Sequence, residues 1–305
     1  MEKFDVHILG CGSALPTVRH LPTAQVLNLR DKLFMIDCAE GTQLQYRKMG
    51  LSFSRLGSIF ISHLHGDHCF GLMGLISTFS LLGRNAPLHI YSPGDDLERL
   101  LRPQLDYFCR EQTFPVVFHG FSPREAEVVY DDRTVRISTI PLKHRVACCG
   151  FLFSEKPKLP HIRRDMIDFL QIPLHAIGRI KGGEGWTDSN GRFWRHEELT
   201  LPAEPARRYA YCSDTMPVDS NAEILKGVDV LFHEATFLSD DAVRARQTGH
   251  STAAQAAAFA RRAEAKRLVI GHFSSRYTDD RLLLNEAAEI FPDVILAYEG
   301  LKIEV

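Results

Sequence analysis

Short apolar runs, some alternating with polar residues and some nearly continuous, recur along the chain between glycine and polar turns. Val6-His-Ile-Leu-Gly-Cys-Gly reads as a strand ending in a glycine turn, and residues 24–29 and 32–36 read as a meander around Arg30-Asp31. Residues 42–48 suit one short helix. Ser58-Ile-Phe-Ile is almost wholly apolar, the pattern of a buried strand. From 70 to 82 the apolar residues return at helical spacing, and a strand at 88–91 precedes a helix at 95–109. Further strands are predicted at 116–118, 127–130, 134–140, 209–212, 228–232, 267–270 and 294–297. Helices are predicted at 220–226, 252–264 and 281–290, with Ser251 or Thr252 placed to cap the second. Strands and helices alternate in both halves with hairpins mixed in, which implies two mixed sheets packed together and covered by helices.

One stretch breaks this pattern. Residues from 154 to about 205 are rich in proline, glycine and charge, with only short apolar patches, and are too long for an ordinary connection. They read as an arm inserted into a single domain spanning 1–305, because candidate metal motifs lie on both sides. Between Lys156 and Lys181 six cations stand against two anions. Taken alone, that stretch is equally a solvated loop or a phosphate-contacting surface, and the formal net charge of −2 argues against a nucleic-acid binder. A chain of 305 residues, 45% hydrophobic, can bury a sizeable core. No apolar run is long enough to cross a bilayer. The N-terminal residues hold no stretch of signal-peptide type, and the seven cysteines include no C-x-x-C pair, so a cytoplasmic protein with reduced thiols is expected.

Ser62-His63-Leu64-His65-Gly66-Asp67-His68 directly follows the buried-strand pattern. Residues two apart on an extended chain face the same way, so His63 and His65 aim at one point. Gly66 lets the backbone turn and puts Asp67 and His68 at the start of the next helix. Four donors thus gather at a strand end, where α/β proteins place their sites. Imidazole and carboxylate suit zinc, and catalytic zinc keeps a position open for water. Two ions need more donors than this motif holds, and His144, Asp214 and His272 each follow a predicted strand. The remaining histidines, His7, His20, His89, His119, His161, His175 and His196, read as ordinary polar residues.

His-x-His-x-Asp-His with His, Asp and His downstream, in that order, resembles the metallo-β-lactamase superfamily. Other stretches narrow the resemblance to ribonuclease Z: Gly10-Cys-Gly-Ser-Ala-Leu-Pro-Thr17, Asp37-Cys-Ala-Glu-Gly-Thr-Gln43, His233-Glu-Ala-Thr-Phe, Gly249-His250-Ser-Thr-Ala and Gly271-His-Phe-Ser-Ser-Arg-Tyr. The resemblance implies a four-layer αβ/βα sandwich of two mixed sheets, with metals at the edge where the sheets meet. It implies two zinc ions per chain, one on His63, His65 and His144 and the other on Asp67, His68 and His272, with Asp214 bridging. The arm falls where short-form members carry a tRNA-gripping exosite, which makes Arg179 and Lys181 candidate phosphate contacts. Arg276 is a candidate phosphate clamp and Thr17 a candidate pocket residue.

The activity implied is removal of the 3′ trailer from tRNA precursors by a homodimer with no membrane association. Asp67 would be the base, and His250, oriented by Glu234, would protonate the leaving oxygen. The chain departs from the family after Pro16-Thr17, where Lys, Arg and Asn are usual and Val18-Arg19-His20-Leu21 stands, with Arg19 the one counterpart. Two other readings stay open at this point. A small-molecule phosphodiesterase or arylsulfatase-like hydrolase would keep the ligands but has no use for a basic arm. A non-catalytic RNA-binding module would have no need of Asp67, His250 and Glu234, and all three are present.

Overall fold

The apolar runs of the first half become neighbours in one seven-stranded sheet, ordered Lys302–Glu304, Phe4–Gly10, Ala24–Leu29, Lys32–Ile36, Leu56–Phe60, Leu88–Pro93 and Val116–Phe121. Pairing is antiparallel up to Lys32–Ile36 and parallel from there to the edge. A second seven-stranded sheet runs Val294–Leu296, Leu268–Gly271, Val230–Glu234, Arg208–Cys212, Cys149–Glu155, Val135–Pro141 and Val128–Asp131. Its first four strands are parallel, and Arg208–Cys212 meets Cys149–Glu155 antiparallel. The computed structural model describes residues 2–305. It divides into a large unit, up to Ser154 and again from Arg208, and a small unit, Glu155–Arg207.

The two sheets of the large unit bury one apolar layer between them. Phe60 packs against Phe151 and Phe153 with ring centres 5.5 and 5.8 Å apart, and Phe34 meets Phe153 at 6.0 Å, edge to face. Helices Leu72–Leu81 and Asp96–Phe108 cover the outer face of the first sheet with Leu75, Ile76, Phe79, Leu101 and Leu105. The alanine-rich helix Ala253–Arg262 packs on the second sheet. Its cap is Thr252, whose hydroxyl accepts the Gln255 N–H while the Gln255 side chain takes the Thr252 N–H, a reciprocal cap.

Several elements lie outside the sequence reading. Cys149–Glu155 is a central strand whose apolar run Cys-Gly-Phe-Leu-Phe abuts the arm with no turn between them. Lys302–Glu304 pairs Ile303 with Val6 at the edge, and Ala242–Thr248 forms a helix. Asp67 and His68 start a helical turn of their own, Gly66–Cys69, ahead of the helix Leu72–Leu81.

The small unit has its own core. Helices Arg164–Leu170 and Leu174–Lys181 and two short antiparallel ladders close over Leu170, Ile172, Ala176, Ile180 and Leu199. The short apolar patches of this stretch are therefore helix faces, Met166 with Leu170 and Ala176 with Ile180 at helical spacing. Its two ends are tied by the Arg207 guanidinium, which donates from Nε and Nη2 to the two oxygens of Glu155 at 2.9 and 3.0 Å.

Candidate metal centre

Every candidate ligand sits at or just past the C-terminal end of a strand. His63, His65, Asp67 and His68 follow Leu56–Phe60, His144 follows Val135–Pro141, Asp214 follows Arg208–Cys212, and His272 follows Leu268–Gly271. Turning the chain sharply there requires left-handed backbone at three residues that are not glycine: Asp37 (φ 56°), Asp214 (φ 57°) and His272 (φ 62°). Such geometry is costly for these residues and concentrates where a fold holds a side chain for use.

The buried Asp214 carboxylate stands between two sets of donors. Its Oδ1 lies 3.0 Å from His272 Nε2 and 3.2 Å from His68 Nε2. Its Oδ2 lies 3.8 Å from both His63 Nε2 and His144 Nε2. His63, His65, His144 and Asp214 bring one ligand atom each within 4.8 Å of one another, and Asp67, His68 and His272 do the same. These are the two sets that the resemblance implies.

The hydrogen bonds on the far side of each ring decide which nitrogen carries the proton. His68 Nδ1 faces Asp37 Oδ2 at 2.8 Å and His144 Nδ1 faces the Gly249 carbonyl at 2.9 Å; both partners can only accept. The Thr236 hydroxyl donates to Glu234 and therefore accepts from His272 Nδ1 at 2.9 Å. Ser62 Oγ likewise donates to Asp37 and accepts from His63 Nδ1 at 3.1 Å. Each ring thus keeps its proton on Nδ1 and turns a bare Nε2 into the centre. Among the described residues, the buried Nε2 atoms of His68, His144 and His272 have no hydrogen-bond partner. His63 Nε2 and His65 Nδ1 lie 2.9 Å apart. At that distance a proton on His65 Nδ1 or a cation must sit between the two nitrogens. Unpartnered lone pairs around a buried carboxylate fit a cation.

The charges agree with that fit. Burial lowers the proton affinity of His63 and His272, in the direction that leaves their nitrogens free for a cation. Burial opposes the charge on Asp214, but His272, His68 and His63 outweigh it and hold the carboxyl well below the usual range. His68 is the exception: burial is overcome by Asp214 and Asp37, which raise it, so at its Nε2 a cation and a proton compete. Beside the centre, His250 Nδ1 meets Glu234 Oε1 at 2.8 Å. Burial again works against the charge, yet Glu234 lifts His250 to about 9. Glu234 is itself held by the Thr215 N–H at 2.8 Å.

The family described as Anti-Pycsar protein Apyc1 matches residues 4–159, and the Beta-lactamase superfamily domain matches residues 198–273. A ribonuclease Z of Phocaeicola vulgatus is 58% identical over 100% of this chain and 98% of its own length. That of Porphyromonas gingivalis W83 is 49% identical over the full length of both. The chain belongs to the ribonuclease Z family. The crystal structure of human tRNase Z, short form, superposes with a TM-score of 0.71 at 28% identity, covering 98% of each chain. The fold is that of the metallo-β-lactamase superfamily, an α/β sandwich of two mixed sheets with flanking helices.

Other residues singled out on ribonuclease Z grounds are placed less uniformly. Arg276 follows the His272 turn and lies half-exposed, 4.0 Å from Asp241. The Thr17 hydroxyl accepts the N–H groups of Arg19 and His20 at 3.2 and 2.9 Å, so it shapes its own turn. Arg179 and Lys181 end the helix Leu174–Lys181 of the small unit, with Arg179 Nε donating to Glu184 at 2.7 Å. Three groups had no role in the sequence reading. Asp37 accepts from Ser62, His68 and Tyr211, Thr236 links His272 to Glu234, and the Gly249 carbonyl fixes His144. Asp37 and Thr236 lie inside the motifs that carry the resemblance, but only tertiary contact assigns them a partner.

Proposed function

We propose that this chain is a zinc-dependent endoribonuclease that removes the 3′ trailer of tRNA precursors, leaving a 3′-hydroxyl on the tRNA and a 5′-phosphate on the trailer. The observation that carries the reading is the pair of donor sets about Asp214 with Glu234–His250 alongside, in a chain 58% identical along its whole length to a ribonuclease Z. The full-length match also disfavours the small-molecule hydrolase and the non-catalytic module.

In this reading His63, His65 and His144 hold one zinc, Asp67, His68 and His272 hold a second, and Asp214 serves both. Nitrogen and carboxylate donors suit zinc. When bound, such a pair supplies a nucleophile from water near neutral pH and stabilises charge on the attacking and leaving oxygens of an in-line displacement at phosphorus. Asp67 takes the proton of the attacking water. Its Oδ2 accepts the Ala14 N–H at 2.9 Å, which fixes the carboxylate's direction. His250 gives a proton from Nε2 to the leaving 3′-oxygen while Glu234 steadies Nδ1. Arg276 and Thr17 line the substrate's path, and the small unit serves as the arm that grips tRNA through Arg179 and Lys181. The family resemblance further supports a cytoplasmic homodimer, which light scattering at twice the 34.5 kDa chain mass would register and a monomer mass would refute.

The products test the chemistry. A precursor labelled in its trailer should release a fragment bearing a 5′-phosphate. A 5′-hydroxyl fragment with a cyclic phosphate left on the tRNA would mean attack by the neighbouring 2′-oxygen instead, and the proposed mechanism would fall.

A further inference from the structure

The segment that departs from the family pattern, Val18-Arg19-His20-Leu21, contains a histidine read above as ordinary, and the fold brings it to a sulfur and a carboxylate. Cys11 follows the strand Phe4–Gly10, His20 lies at the far end of the next loop, and Glu299 lies in the turn before Lys302–Glu304. Cys11 Sγ is 3.3 Å from His20 Nδ1 and 3.7 Å from Glu299 Oε1. His20 Nδ1 is 3.1 Å from Glu299 Oε2 and 3.3 Å from Oε1. A tetrahedral zinc, with bonds of about 2.3 Å to sulfur and about 2.0–2.1 Å to nitrogen and oxygen, spaces its ligands about 3.3–3.6 Å apart. Three donors from three separate segments already stand at close to those spacings.

The far side of the His20 ring is built in the same way as at the main centre. His20 Nε2 meets Asp280 Oδ2 at 2.7 Å. A carboxylate there takes the ring proton and leaves Nδ1 bare toward Cys11 and Glu299, as Asp37 does for His68. Cys11 is fully buried, with the Ala297 carbonyl 3.6 Å from Sγ, while His20 and Glu299 reach solvent at their edges, which leaves a way in. Glu299 Oε1 also accepts the Leu21 N–H at 2.9 Å, and Arg19 pairs with Asp280 at 3.5 Å.

We propose that Cys11, His20 and Glu299 form a further divalent-cation site of zinc type that shares no residue with the Asp214 centre. A thiolate, an imidazole and a carboxylate together select zinc over calcium or magnesium. The cation replaces the thiol proton, which leaves to solvent, and water completes the coordination. Its effect is to staple both ends of the loop that carries Thr17 and Ala14, whose N–H holds Asp67. The competing arrangement is an imidazolium clamped between Glu299 and Asp280, with Cys11 a bystander.

Cobalt separates the two. None of the ligands assigned to the Asp214 centre is a sulfur, so protein stripped by chelation and reloaded with Co²⁺ should show a thiolate-to-cobalt charge-transfer band in the near ultraviolet only if a cysteine binds. We expect that band in the wild-type protein, its loss in Cys11→Ser, and a loss of one zinc equivalent per chain in both Cys11→Ser and Glu299→Gln. A wild-type cobalt spectrum without the band overturns the proposal with no variant needed. A band that survives in Cys11→Ser overturns it too, by moving sulfur ligation to Cys69 or Cys148.

Discussion

The imidazoles of the centre are useful because something else holds their other nitrogen. Thr236 is the clearest case, a single hydroxyl that accepts from His272 and donates to Glu234. Thr236→Val keeps the volume and removes both contacts. Losses of this kind typically cost about 10–100-fold in metal affinity, so chelator competition should show weaker binding in this variant, and an unchanged affinity would contradict the assignment. Glu234→Gln tests the proton donor. Burial lowers the proton affinity of His250, and Glu234, through its charge and its hydrogen bond, does most to lift it to about 9, with Asp214 adding to it. The donor form is the protonated one, so wild-type kcat should hold up to about that pH. In the variant, without the Glu234 charge, His250 falls back toward the ordinary value of about 6.5. Its kcat should decline from there upward and lie about 10²–10⁴-fold lower on the alkaline side. Identical pH profiles would remove His250 from the chemistry. At this scale the ligand types were legible because His-x-His-x-Asp-His is local, whereas Asp37, Thr236 and the Gly249 carbonyl act on residues 31, 36 and 105 positions away. No window on the sequence pairs them.

Among the elements, strands whose apolar pattern was bounded by turns were legible, and Ala24–Leu29 and Lys32–Ile36 form as expected. Cys149–Glu155 was not, because its apolar run passes straight into the polar arm with no turn to mark it. The small unit hid its helices for a related reason: its core is five buried residues, too few to dominate a stretch heavy in charge. Leu199 is the fully buried member of that core. Leu199→Ala removes a side chain whose loss costs about 2–5 kcal/mol in a packed interior, enough to loosen a unit this small. If the unit grips tRNA, KM for a precursor should rise several-fold while turnover of bis-p-nitrophenyl phosphate stays level. Equal loss on both substrates would make the unit a structural support instead.

Across the large unit, the donors come from both sheets. The His63–His68 turn belongs to the first, and His144, Asp214 and His272 to the second. Metal bound there ties the sheets at one edge, so binding and folding are linked: a ligand at 100 times its Kd adds about 2.7 kcal/mol. Stripping the protein with EDTA should lower its Tm, and zinc should restore it; a Tm indifferent to both would mean that the donors hold no cation. The deciding measurement compares two substrates on one zinc-loaded preparation, with Asp67→Ala beside it. One is a tRNA precursor with a 3′ trailer and the other is bis-p-nitrophenyl phosphate. The account predicts a cut after the discriminator nucleotide by the wild type and none by the variant. Hydrolysis of the small diester with the precursor left intact would contradict it.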